Sequence, residues 1–176
     1  VLGSRGLGDV YKRQIQYLLL IINPTIIFTA YCIATHNITI GLIEVFSFLL
    51  IRKYCGGYHC QSSTACLIFS VIILIAIAWL SSFIKPSLYM FIALIIADME
   101  LIIKGPVISV NHSVSDSEKK YYHRCLIGIL AVFNIIIITA TASNLYRTAS
   151  CISIVIIFCF ISHIACMTEK NRKLYY

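Results

Sequence analysis

Long apolar runs separated by short polar stretches organise this chain. Ile15–Ala34 is long enough to cross a bilayer as a helix, and Asn23-Pro24 places a kink in it. Ile38–Ile51 is shorter and carries Glu44, which fits either a short span or a re-entrant helix. Leu67–Ile84 is an uninterrupted span, and Leu88–Ile103 follows a tight Lys85-Pro86 turn and holds Asp98 and Glu100. Cys125–Ser143 and Ala149–Met167 are two further spans joined through Asn144–Thr148. A membrane β-barrel would alternate apolar and polar positions in segments of about ten residues, and these runs are continuously apolar. The pattern predicts an all-α, polytopic transmembrane helical bundle of about six hydrophobic helices.

Composition leads to the same solvent. Of 176 residues, 60% are hydrophobic and 12% charged, with a mean hydropathy of +0.90. An ordinary soluble domain is about 45–50% apolar and about 25% charged. A water-soluble fold of this size could not cover so much apolar surface, whereas a bilayer accepts it. Residues 1–14, VLGSRGLGDVYKRQ, are Gly-rich, basic and aperiodic, and they read as a non-native scar ahead of one integral membrane domain over 15–176.

The formal net charge is +7, and its placement orients the bundle. With six spans, one side holds nine basic residues (Arg52, Lys53, Lys104, Lys119, Lys120, Arg124, Lys170, Arg172 and Lys173), and the other holds two, Lys85 and Arg147. The positive-inside rule puts the nine in the cytoplasm, with both termini, the 52–66 segment and a 104–124 loop. Membrane lipid is the partner this charge calls for. No basic patch interleaved with aromatics points to nucleic acid. Tyr54, Tyr58, Tyr121 and Tyr122 read as interfacial anchors.

The candidate chemistry lies in Arg52–Cys66, RKYCGGYHCQSSTAC, a polar segment between two apolar helices. Gly56-Gly57 permits backbone paths closed to other residues. Ser62, Ser63 and Thr64 are helix-capping types ahead of Leu67, which puts Cys66 in the first turn of the next helix. The amino end of a helix stabilises negative charge, as a nucleophilic thiolate requires. His59 precedes Cys66 by seven residues. On one continuous helix that is about 10 Å of rise, so the chain must bend if the imidazole is to take the thiol proton. Without such a bend, His59 serves only to satisfy loop carbonyls. Cys55, His59, Cys60 and Cys66 match no standard zinc spacing. Of the eight cysteines, Cys32, Cys125, Cys151, Cys159 and Cys166 read as small membrane-core residues. His36, His112, His123 and His163 fall in loops or near helix ends, where surface exposure or a bond to a backbone carbonyl accounts for them.

The Arg52…Gly56-Gly57-Tyr58-His59…Cys66 constellation between hydrophobic helices resembles the accessory gene regulator B (AgrB) family, membrane cysteine endopeptidases of Gram-positive quorum sensing. Lys104-Gly105-Pro106-Val107…Asn111…Glu118-Lys119-Lys120 resembles that family's polar loop, and the likeness runs over nearly all the chain after the first fourteen residues. Cys60 stands where the family usually has a small residue such as Ala. The resemblance implies that His59 and Cys66 are catalytic, with Arg52, Gly56, Gly57, Lys119 and Lys120 supporting the site or binding substrate. It implies an AgrD-like propeptide as substrate, cleaved and cyclised to a thiolactone autoinducing peptide, and it allows a homodimer. No cofactor or metal enters that chemistry. Arg52 then has three roles open: holding a propeptide carboxylate, stabilising an oxyanion, or pairing with Glu44. The competing reading is a non-enzymatic multi-pass protein, a small transporter or a redox-sensing scaffold. A transporter would carry polar residues at several depths along a path. A scaffold would need Cys66 but not His59.

Overall fold

The structure is a computed structural model and describes Ile15, Leu19 and residues 22–56, 63–106 and 115–174. It is all-helical over those residues. The helices are α1 (Ile22–Ala34), α2 (Ile38–Cys55), α3 (Ser63–Phe83), α4 (Leu88–Lys104), α5 (Asp116–Ala142) and α6 (Tyr146–Leu174). Three of them, over Thr64–Phe83, Ser117–Ala142 and Tyr146–Thr168, are long and apolar enough to cross a membrane.

The organising contact is between α2 and α6. Arg147 Nη1 donates to Asn37 Oδ1 at 2.5 Å, the Phe48 and Phe158 rings lie 6.1 Å apart, and Arg52 Nη1 donates to Ser162 Oγ at 3.5 Å. All three pairs are offset by 110 residues, so the two helices run parallel and in register over about 22 Å. Ile38–Ile51 falls within this pairing. The segment is part of an 18-residue helix that lies alongside α6 through most of its length. α6 also packs against α3, α4 and α5, so four helices surround it. Its packed face is built largely of small residues: Ala149, Ser150, Cys151, Ser153 and Cys159 are buried, and such side chains let backbones approach closely where no hydrophobic driving force separates helix from lipid. Cys32, Cys151 and Cys159 are core residues, as their apolar setting predicts. α1 folds back on α2, and a Cβ on Gly41 would run into the Cys32 sulfur.

Helix ends depart from expectation in an informative way. α5 starts nine residues before Cys125, because Ser115 and Glu118 form a reciprocal capping box: Glu118 N donates to Ser115 Oγ at 3.3 Å and Ser115 N donates to Glu118 Oε2 at 3.0 Å. Lys119, Lys120, His123 and Arg124 therefore stand on a helix, not in a 104–124 loop. α6 likewise runs to Leu174, and its 29 residues span about 43 Å, longer than a bilayer's hydrocarbon core of about 30 Å. The turn ahead of Asn23-Pro24 lies mostly outside the described residues, as do residues 107–114. The charges expected on one side do fall at one end of the bundle, where α2, α4 and α6 finish and α3 and α5 begin. Lys85 and Arg147 lie at the other end.

One polar pair joins α4 to α5 inside the bundle. Asn134 Nδ2 donates to Asp98 Oδ2 at 2.8 Å, whereas Glu100, two residues on, faces outward and pairs with Lys104 at 3.0 Å. Asn134→Leu should destabilise the bundle by about 1–2 kcal/mol by stranding the acid. Asp98→Leu/Asn134→Leu should recover most of that loss. Reversible unfolding in mixed micelles measures both, and equal loss in the double variant would show that the pair is not what holds α4 to α5.

Candidate functional site

The basic end of the bundle collects the expected site residues that the structure describes. Cys66 closes the first turn of α3 and is half-buried. That helix begins at Ser63, so Ser63 and Thr64 lie within the first turn rather than ahead of it. The Cys66 carbonyl accepts from Ser70 Oγ at 2.8 Å, which leaves the thiol out of that bond. Gly57, His59, Cys60 and Ser62 lie outside the described residues, and so does any contact between His59 and Cys66.

The two helices flanking that segment are well defined at their ends. Gly56 stops α2 with φ 75°, a backbone state glycine takes freely, and its N–H bonds to Arg52 O at 3.0 Å. α2 packs on α3, and Cys66 sits at the end of the bundle where α2 finishes and α3 begins. Arg52 does not pair with Glu44. Its guanidinium reaches Ser162 and lies 5.6 Å over the Phe48 ring. Glu44 is eight residues, or about 12 Å, further along α2, and neither of its carboxylate oxygens has a hydrogen-bond partner among the described residues. Lys119 and Lys120 are exposed on the first turns of α5.

Burial sorts the thiols. Cys55 is fully buried, with Sγ donating to Gly56 O at 3.0 Å and in hydrogen-bonding contact with Cys159 on α6. A peptide cannot reach it. Cys66, Cys125 and Cys166 are each half-buried, and of these three only Cys66 stands in the first turn of its helix.

Two histidines outside the expected site do structural work here. His163 Nε2 bonds the Gly105 carbonyl at 2.9 Å and His123 Nε2 bonds the Ile102 carbonyl at 2.7 Å. Both carbonyls belong to the end of α4, where the helix has no partners of its own to offer. Of the two settings the sequence left open for each, surface or carbonyl-bonded, both take the second, and His163 is fully buried inside α6 rather than near a helix end. His163 follows Ser162, the partner of Arg52, so α6 ties the end of α4 to the end of α2 through adjacent residues. Asn134, Ser162 and Ser115 were not expected to matter. An Asn within an apolar run and a Ser-x-x-Glu ahead of one were the available signals for the first and last.

Fold and site together define a polytopic helical membrane protein with a thiol at one basic, polar end. The family model for Accessory gene regulator B matches residues 8–168, nearly the whole chain. The chain belongs to that family, which assigns it to quorum-sensing peptide processing. No curated protein and no solved structure matches it.

His163→Leu should release the Gly105 carbonyl and cost about 1–3 kcal/mol of stability, while His163→Gln, which keeps a donor, should recover part of the loss. Thermal unfolding in detergent measures this. Equal loss in both variants would assign the effect to packing.

Proposed function

We propose that the chain is a membrane-embedded cysteine endopeptidase that cleaves an AgrD-like propeptide and cyclises it to a thiolactone. The observation that carries this reading is Cys66: a half-exposed thiol in the first turn of α3, at the end of the bundle where α2 finishes, with His59 seven residues before it in the sequence. The charge at that end supports a cytoplasmic site.

His59 takes the Cys66 proton as the sulfur attacks a backbone carbonyl carbon of the propeptide. The carbon–nitrogen bond then breaks, and His59 returns the proton to the departing amine of the tail. The remaining acyl group is held on Cys66 as a thioester. A thiol within the bound peptide next gives its proton to His59 and attacks that thioester. The Cys66 sulfur leaves and takes the proton, and the cyclic thiolactone is released. One thioester replaces another, so the step is nearly isoenergetic and needs no ATP. It does need water kept from the acyl-enzyme, which a site shielded by packed helices favours. Arg52, Lys119 and Lys120 supply positive charge for an acidic tail, and Gly56 and Gly57 let the His59 segment turn.

A second reading, a small transporter, draws on Glu44 and Asp98, whose carboxylates are held inside the bundle away from the basic end. It predicts that Glu44→Gln abolishes function and Cys66→Ser does not.

Co-expression with a candidate propeptide separates the readings. Cys66→Ser and His59→Ala should each lower release of the cleaved tail by about 10³-fold or more while membrane insertion persists. Cys60→Ser should retain cleavage; its loss would move the nucleophile to Cys60, and retention in Cys66→Ser would end the protease reading.

A further inference from the structure

The lateral face between α2 and α5 carries a groove of about 540 Å³. Phe46, Leu50 and Tyr54 form one wall, and Val132 and Ile136 belong to the other, with Gly128 between them. From Phe46 to Tyr54 is about 12 Å of helix rise, and from Cys125 to Ile136 about 16 Å. The hydrocarbon core is about 30 Å thick, so the groove's length is comparable with one leaflet, and its Tyr54–Cys125 end is the one toward the basic end of the bundle.

We propose that this groove binds one acyl chain of an anionic phospholipid from the leaflet at the basic end. Size admits a chain. A hydrocarbon chain about 5 Å across fills about 310 Å³ over a length of about 16 Å. The mouth fits a headgroup at the interface. Tyr54 and Tyr122 lie 5.8 Å apart and Tyr121 and Tyr122 6.0 Å apart, forming an aromatic rim. Lys53 Nζ sits 5.2 Å over the ring of Tyr54, a lining residue, and Arg124 is exposed on the neighbouring turns of α5. Lys53 at that mouth, with the further positive charge of Arg124 on the same end of α5, complements a headgroup with a net negative charge. Gly128 keeps the floor clear: a Cβ placed there meets nothing within 4 Å, so a larger side chain would project into open space rather than into the protein.

The test uses the full chain in phosphatidylcholine vesicles carrying trace spin-labelled phosphatidylglycerol or spin-labelled phosphatidylcholine. The fraction of label immobilised is read by electron paramagnetic resonance. The wild type should prefer the phosphatidylglycerol label by about fivefold, the effect of one interfacial cation, or more where Arg124 adds to Lys53. Lys53→Gln/Arg124→Gln should bring the preference close to unity while leaving an immobilised component. Gly128→Phe should reduce that component for both labels, and Val132→Phe should do so independently if the first variant inserts poorly. The proposal is overturned if the wild type shows no preference, or if both filling variants leave the immobilised fraction unchanged. It is also overturned if Gly128→Phe instead dissociates a dimer, or if added propeptide displaces the label, since each result gives the groove to another occupant.

Discussion

The parallel, in-register pairing of α2 with α6 is the contact on which the rest of the bundle depends. In hydrocarbon, helices gain nothing by hiding apolar side chains from one another, so association relies on close packing and a few polar bonds. α6 meets this with small residues on its packed face and with Ser162 and Arg147 bonding to α2 near opposite ends. Because α2 and α6 run in the same direction, the chain between them must make an odd number of crossings, and α3, α4 and α5 supply three. That arrangement sends the ends of α2, α4 and α6 and the starts of α3 and α5 to one end.

The consequence for function is positional. The expected site draws on polar segments far apart in sequence, and α6 connects the helices that launch them. Ser162 meets Arg52 at the end of α2, ahead of the His59 segment. His163 meets Gly105 at the end of α4, ahead of the second polar stretch. A fully buried histidine bonded to a backbone carbonyl is costly to disturb in a low-dielectric setting. It therefore gives the end of α4 a fixed origin rather than a loose one.

Much of the fold was legible because a bilayer leaves few options. Continuous apolar runs, a Gly pair after Lys53 and a one-sided distribution of Lys and Arg are local or compositional features, and they led to helices, their approximate number and a basic end. Where the reading fell short, the deciding signal was weaker or belonged to another helix. The early start of α5 was written in Ser115-Asp-Ser-Glu118, a capping box overshadowed by the charged residues that follow it. Glu44 counts against Ile38–Ile51 on hydropathy, and only the neighbouring helices show that its carboxylate is enclosed by the bundle.

What the sequence determined by itself is the solvent and the helical class, and it set out the candidate chemistry: a thiol at a helix start, an imidazole seven residues before it in the chain, and an arginine at the end of the preceding helix. What only the tertiary structure decided is which polar groups meet. Arg52 turned to Ser162 rather than Glu44, Asp98 to Asn134 and His163 to Gly105, while Cys55 was sealed against Cys159 and Cys66 left partly open. Helix periodicity reports which face of a helix is apolar. It does not report which neighbour that face receives, and in a bundle it is the neighbour that decides whether a polar side chain is satisfied, buried or free to react.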